Sequence, residues 1–209
     1  MEHPTNEQPP RNNETHSKEA MTILTIGHST RTLSEFLSIL KAYNVTLVVD
    51  VRTVPRSRHN PQFNKENLPE SLKTEGVRYI HLPELGGFRR PRNDSENIAW
   101  RNKSFQGYAD YMQTKEFIDS LLTLLAFARE NRLVLMCAEA MPWRCHRSLI
   151  ADALTVRDVK VEHILTSESH IKHELSPSAH VEGTKITYPL FAKEKLQRTL
   201  ADFAASIRP

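Results

Sequence analysis

Between Thr22 and Ile164 the chain alternates short β-branched apolar runs with amphipathic stretches, and this alternation restricts the fold more than any other property of the sequence. Thr22-Ile26 reads as a strand closed by Gly27. Thr32-Leu33-Ser34-Glu35 has capping-box spacing and opens a helix to about Tyr43. Val45 to Val51 is apolar except at Thr46 and Asp50, as a strand covered on both faces would be. A helix over Lys65 to Glu75 stops at Gly76, and Val77-His81 follows as a strand. Phe105 to Arg129 has helical period with a break near Gln113-Thr114. Leu133-Met136 is a second buried strand, Arg144 to about Val156 a helix, and Val159-Ile164 a fifth strand. This order predicts an α/β fold: three layers, a mostly parallel sheet of about five strands, and flanking helices in a Rossmann-like, doubly wound arrangement.

The flanks differ from this core. Residues 1–20 contain no Ile, Leu, Val or aromatic residue, too little apolar surface to offset the entropy of ordering, so a disordered tail is expected there. The core domain is then 21–166. Residues 167–209 form an appendage: a polar loop that carries His180 and a His170-x-x-His173 pair read as solvated, a short strand over Thr184-Tyr188, and a closing helix from Leu190 to Ile207. No apolar run approaches the roughly 18 residues of a membrane span, and the first residues lack the apolar stretch of a secretory signal. With only two cysteines there is no disulfide framework, and a reducing cytoplasm is the expected compartment.

In an open parallel sheet, ligands bind outside the carboxyl ends of the strands. Here those ends carry Gly27-His28-Ser29, Asp50-Val51-Arg52 with Arg56, Gly86-Gly87, and the run from Cys137 through Glu139, Arg144, Cys145 and His146 to Arg147. The formal net charge is only +3, but removing the tail's four Glu, one Arg and one Lys leaves 26 basic and 21 acidic residues. The segments 51–65 and 88–103 together carry +7. Arginine dominates, which suits bidentate contact with phosphate or carboxylate. Phe63, Phe88, Trp100, Phe105 and Trp143 are interleaved and offer stacking surfaces. The bland alternative is a set of solvated charged loops.

The motifs TIGHS (25–29), DVR (50–52) with Pro55 and Ser57, LGG (85–87) and CAE…CHR (137–147) resemble the family called "domain of unknown function 488" over about Thr22 to Ile164. The resemblance implies a cytosolic prokaryotic α/β domain with its site at these motifs. It implies no reaction.

Each candidate has two readings. Cys137, at a strand end before a helix, is a thiolate candidate activated by the helix dipole and Arg144, or else a buried hydrophobe. Six residues separate it from Arg144 and none is glycine, which disfavours a phosphatase loop. Cys137, Cys145 and His146 are weak metal candidates, because their spacing matches no common zinc pattern. Glu139, His28 and Asp50 offer acid–base chemistry, with an internal Asp50–Arg52 or Asp50–Arg147 ion pair as the alternative. Ser29, Arg52, Arg56, Arg144 and Arg147 are anion-binding candidates. Gly27, Gly86 and Gly87 are places where backbone can approach a ligand closely. The leading expectation is an enzyme, a hydrolase or transferase, acting on an anionic nucleotide or nucleic-acid base with Arg anion binding and Glu/His acid–base groups. The competing expectations are a non-catalytic nucleic-acid-binding module and a Cys-dependent thiol or sulfur-transfer enzyme. The sequence specifies no cofactor and no oligomeric state.

Overall fold

The computed structural model describes residues 21–190. The expected tail over 1–20 and nearly all of the expected closing helix lie outside the described residues. Among these, the elements in chain order are β1 (Thr22–Gly27), α1 (Leu33–Ala42), β2 (Leu47–Asp50), α2 (Leu68–Thr74), β3 (Arg78–His81), α3 (Lys103–Tyr111), α4 (Lys115–Glu130), β4 (Leu133–Cys137), α5 (Arg147–Thr155), β5 (Lys160–Ile164), β6 (His170–Lys172), β7 (His180–Glu182) and β8 (Lys185–Thr187).

β2 and β4 are buried at every position, as their apolar runs require. The main sheet has the order β3-β2-β4-β1-β5-β6. The first five strands are parallel, and β6 pairs antiparallel with β5. Side chains alternate between two cores. Leu24, Ile26, Val48, Val134 and Met136 meet α1 and α2 through Phe36, Leu40, Leu68 and Leu72. Ile23, Val49, Leu135 and Cys137 meet α3, α4 and α5 through Tyr108, Phe117, Leu121 and Leu149. The sheet is therefore covered on both faces, and this is a three-layer α/β fold.

Because β4 lies between β2 and β1, the chain leaves β1 and β2 toward one helical layer and leaves β4 toward the other. The loops part on both sides of the β4 end, which is where such sheets open a crevice. None of the described helices is long and apolar enough to cross a membrane.

Local signals place several boundaries. Thr32 and Glu35 form the capping box of α1, and Thr114 caps α4 after the break following Tyr111. Three expectations differ from the structure. α2 begins at Leu68 rather than Lys65, because Pro69 suits only the first helical turn. α5 begins at Arg147 rather than Arg144, because Cys145 is extended (φ -130, ψ 144) after a 3-10 turn over Pro142–Arg144. The polar stretch after Thr166 is not all loop: it supplies β6 and β7, each of three residues around one apolar side chain and exposed at every position, too short to show a period.

Gly27 shows how tightly the strand ends meet. A Cβ at this position would fall inside the backbone carbonyl of Glu139. Gly27→Ala should therefore cost about 3 kcal/mol or more, since backbone rather than a side-chain tip must move. A urea denaturation midpoint equal to wild type would show that the two loops are not in contact in solution.

Candidate active site

The β1 and β4 ends are laced together, with His28 N–H donating to Cys137 O and Ser29 N–H to Ala138 O, each at 2.9 Å. Ser29 takes up a positive φ of 50 to make this turn. Its amide is thus held by protein. Gly86 and Gly87 likewise make room for protein neighbours, Thr53 and the His146 ring respectively.

Asp50 and Arg52 form a buried pair at the β2 end. Arg52 Nε donates to Asp50 Oδ1 at 2.9 Å and Nη2 to Oδ2 at 2.6 Å, while Tyr79 Oη donates to Oδ2 at 2.7 Å. Arg52 also donates to Phe63 O and, through Nη1, to His28 Nε2 at 3.1 Å. His28 Nδ1–H donates to Ser29 O at 2.9 Å, and the ring stacks on Phe63 with centroids 4.3 Å apart. Both His28 nitrogens are therefore engaged within the protein, and one Nη1 N–H of Arg52 is left for the space above. Burial, opposed by the bond to Ser29, pushes the His28 pKa down to about 4.

The β4 end carries two thiols. Cys137, Cys145 and His146 offer Sγ, Sγ and a ring nitrogen that all lie within 4.8 Å of one another. His146 Nε2–H donates to Val51 O at 3.2 Å, which leaves the Nδ1 lone pair facing Cys145 Sγ at 3.7 Å. Arg147, buried to 1 % exposure, directs Nε–H onto Cys145 Sγ at 3.4 Å. Its other nitrogens donate to Thr25 Oγ1 and to the carbonyls of Glu139 and Ala140. Among the described residues no carboxylate pairs with this guanidinium. Cys145 also lies at the N-terminus of α5, where the helix dipole favours negative charge. The bond from Cys137, opposed by burial and aided by His146 and Arg147, holds the Cys145 thiol well below its ordinary range, whereas that same bond and burial push Cys137 up. Sequence reasoning assigned helix activation to Cys137; the structure puts the helix behind Cys145, because the extended conformation of Cys145 delays α5.

Cys137, Cys145 and His146 floor a cleft of about 560 Å³ whose lining includes Arg52, Arg56, Gly87, Phe88, Glu139 and Arg144. Phe88 is 79 % exposed at its mouth. Glu139 is exposed on the rim, where its carboxylate accepts from Met141 N at 3.4 Å. The charged loops are less free than their composition implies: Arg56 pairs with Glu66, Arg92 with Asp94, and Arg89 lies over the Tyr111 ring. A larger cavity of about 820 Å³ lies behind the same turn, lined by Trp100, Trp143, His163 and His173, but it contains no thiol.

Sequence reasoning missed Thr25, Asp152, His163 and His173, and read His173 as solvated. Its side chain is 5 % exposed and Nε2 lies 2.8 Å from Asp152. The available signal was a polar residue in each apolar setting: Thr25 within β1, His163 within β5, and Asp152 on the buried face of α5. Burial first, then His173 and Arg147, push the His163 pKa down to about 3. In the unfolded chain His28 and His163 accept protons near 6.5, while in the native state they do so only near 4 and 3. Their contribution to stability is thus complete above 6.5 and lost as pH falls below it. Each should cost about 2 kcal/mol by pH 5. Urea unfolding between pH 8 and 5 checks this, and a flat profile in that window would contradict it.

A doubly wound α/β protein with a thiol-bearing cleft at the carboxyl edge of its sheet is the class these observations define. The family model described as "Domain of unknown function DUF488" matches residues 32–154, more than half of the chain, and the chain belongs to that family. The match takes in the DVR, LGG and CAE…CHR segments and starts after TIGHS, so it is shorter at both ends than the resemblance read from the motifs. No curated protein and no solved structure matches the chain.

Proposed function

We propose that this chain is a cysteine-dependent enzyme acting on an anionic, base-bearing substrate, a nucleotide or an accessible nucleic-acid base, in the cleft above β2 and β4. The observation that carries the reading is Cys145 Sγ set between the Arg147 guanidinium at 3.4 Å and His146 Nδ1 at 3.7 Å. A buried guanidinium without a carboxylate partner favours a thiolate beside it. His146 is the acceptor of the thiol proton, since Val51 O fixes its other nitrogen as the donor. Cys145 is then the nucleophile, and Glu139 on the rim exchanges protons with the substrate. Cys137 is the protonated thiol that donates to Cys145. Arg52, Arg56 and Arg144 hold the anion, with Phe88 as the stacking face for a base. His28 and Asp50 hold Arg52 in place.

Labelled mononucleotides and short single-stranded oligonucleotides, incubated with wild type and Cys145→Ser, test the reading by mass spectrometry. Conversion, or a covalent adduct on Cys145, is expected with wild type alone, and the variant should retain binding. Equal conversion by both would overturn the nucleophile. Binding with a steep salt dependence and no conversion by either would replace the enzyme with a binding module.

A further inference from the structure

Behind the thiol a line of buried hydrogen bonds leaves α5 at Arg147, passes through β1 and β5, and returns to α5 at Asp152. Arg147 Nη1 lies 3.2 Å from Thr25 Oγ1, Thr25 Oγ1 lies 2.7 Å from His163 Nδ1, His163 Nε2 lies 3.0 Å from His173 Nδ1, and His173 Nε2 lies 2.8 Å from Asp152 Oδ1. Its members come from α5, β1, β5 and the residue after β6. Arg147, Thr25, His163 and Asp152 are buried, and the side chain of His173 is 5 % exposed.

With each ring carrying a single N–H, the direction of every bond follows from its two ends. A guanidinium has only donors, so Arg147 donates to Thr25. Asp152 also accepts from Ser176 N at 3.0 Å, Ser176 Oγ at 2.7 Å and Tyr188 Oη at 2.7 Å, an environment that suits only a carboxylate. His173 therefore donates through Nε2 and accepts through Nδ1. His163 in turn donates through Nε2 and accepts the Thr25 hydroxyl through Nδ1. All four bonds run the same way, and each neutral link is polarised in the same sense. A cation stands at one end and an anion at the other. This is how the Arg147 charge is compensated without a carboxylate in contact, and it leaves Nε–H free to point at Cys145 Sγ.

We propose that Thr25, His163, His173 and Asp152 are positioning residues that hold the Arg147 guanidinium on Cys145 and thereby sustain the Cys145 thiolate; this rests on the cysteine-dependent reading above. The titratable and charged groups facing Cys145 are Cys137, His146, Arg147, Tyr108 and His163, and those facing His163 are His173, Arg147, Cys145 and Asp152. The relay thus acts on the thiol through Arg147, while Cys137 and His146 act on it directly. A purely structural chain would tie β5, β6 and α5 together and leave the charge state of Cys145 unaffected.

The test is the pH dependence of iodoacetamide alkylation at Cys145, located by peptide mass spectrometry in the full chain. Thr25→Val keeps shape but removes the hydroxyl, and should move the alkylation midpoint up by about one pH unit, slowing the reaction at low pH roughly tenfold. Thr25→Ser should restore the wild-type profile. His173→Phe, at the sheet edge, removes both ring nitrogens, breaks the line at the third bond from Arg147 and should shift it the same way by about threefold; it decides the matter if Thr25→Val does not fold. Folded variants with the wild-type midpoint would overturn the relay while leaving the reactive thiol intact. A wild-type midpoint in the ordinary thiol range would overturn the thiolate reading itself, and the relay with it.

Discussion

Iodoacetamide should modify Cys145 at least about tenfold faster than Cys137 near pH 6, and Cys145→Ser should abolish the fast phase. The two thiols sit in one cleft and are nearly equally buried, so access does not separate them. Charge does. Cys145 faces the Arg147 Nε–H and the N-terminus of α5, and it accepts the Cys137 hydrogen bond. Cys137 spends its proton on that bond, which together with burial keeps it a thiol. Because only the thiolate is nucleophilic, the difference in thiolate fraction becomes a difference in rate. Arg147→Met, which keeps bulk and removes the cation, should bring Cys145 toward the rate of an ordinary thiol. Faster modification of Cys137, or equal rates in the two, would refute this assignment.

Asp50→Asn should destabilise the protein by about 3–5 kcal/mol, because it strips the counter-charge from a buried guanidinium without changing shape. Asp50 is fully buried and Arg52 is 6 % exposed, so water cannot take over the role of the carboxylate. The loss spreads, since Tyr79 Oη loses its acceptor and Arg52 can no longer be held against His28 and Phe63 O. Arg56→Ala supplies the contrast. Its partnership with Glu66 is exposed on both sides, and its removal should change stability by less than about 1 kcal/mol. Urea denaturation of the two variants separates these expectations. A cost below about 1 kcal/mol for Asp50→Asn would mean that the Arg52 charge is not confined as the structure places it.

The elements whose burial is periodic or complete were readable from residue order. β2 and β4 are apolar runs buried throughout, α1 announces itself by its capping box, and Thr114 marks the start of α4. The site region was readable for a related reason: polar residues at the ends of apolar strands must find partners, and in a parallel sheet those ends share one edge. β6 was not readable, because three residues with one apolar side chain, Ile171, are too few to set a period. The pairing of charges was equally hidden. Composition counts Arg52, Arg56, Arg89 and Arg92 as one basic field, whereas Asp50, Glu66, the Tyr111 ring and Asp94 each engage one of them.

Residue order by itself thus determined the α/β class, the edge on which the polar motifs gather and the identity of the two thiols. Only tertiary structure decided which thiol faces the Arg147 guanidinium and what supports that guanidinium. Arg147, Thr25, His163, His173 and Asp152 come from α5, two strands and the residue that follows a third, and their line of hydrogen bonds exists only once β1 has paired with β5 and β5 with β6. Local sequence sets backbone preference and burial period, but donor–acceptor direction along such a line depends on contacts between residues as many as 138 positions apart.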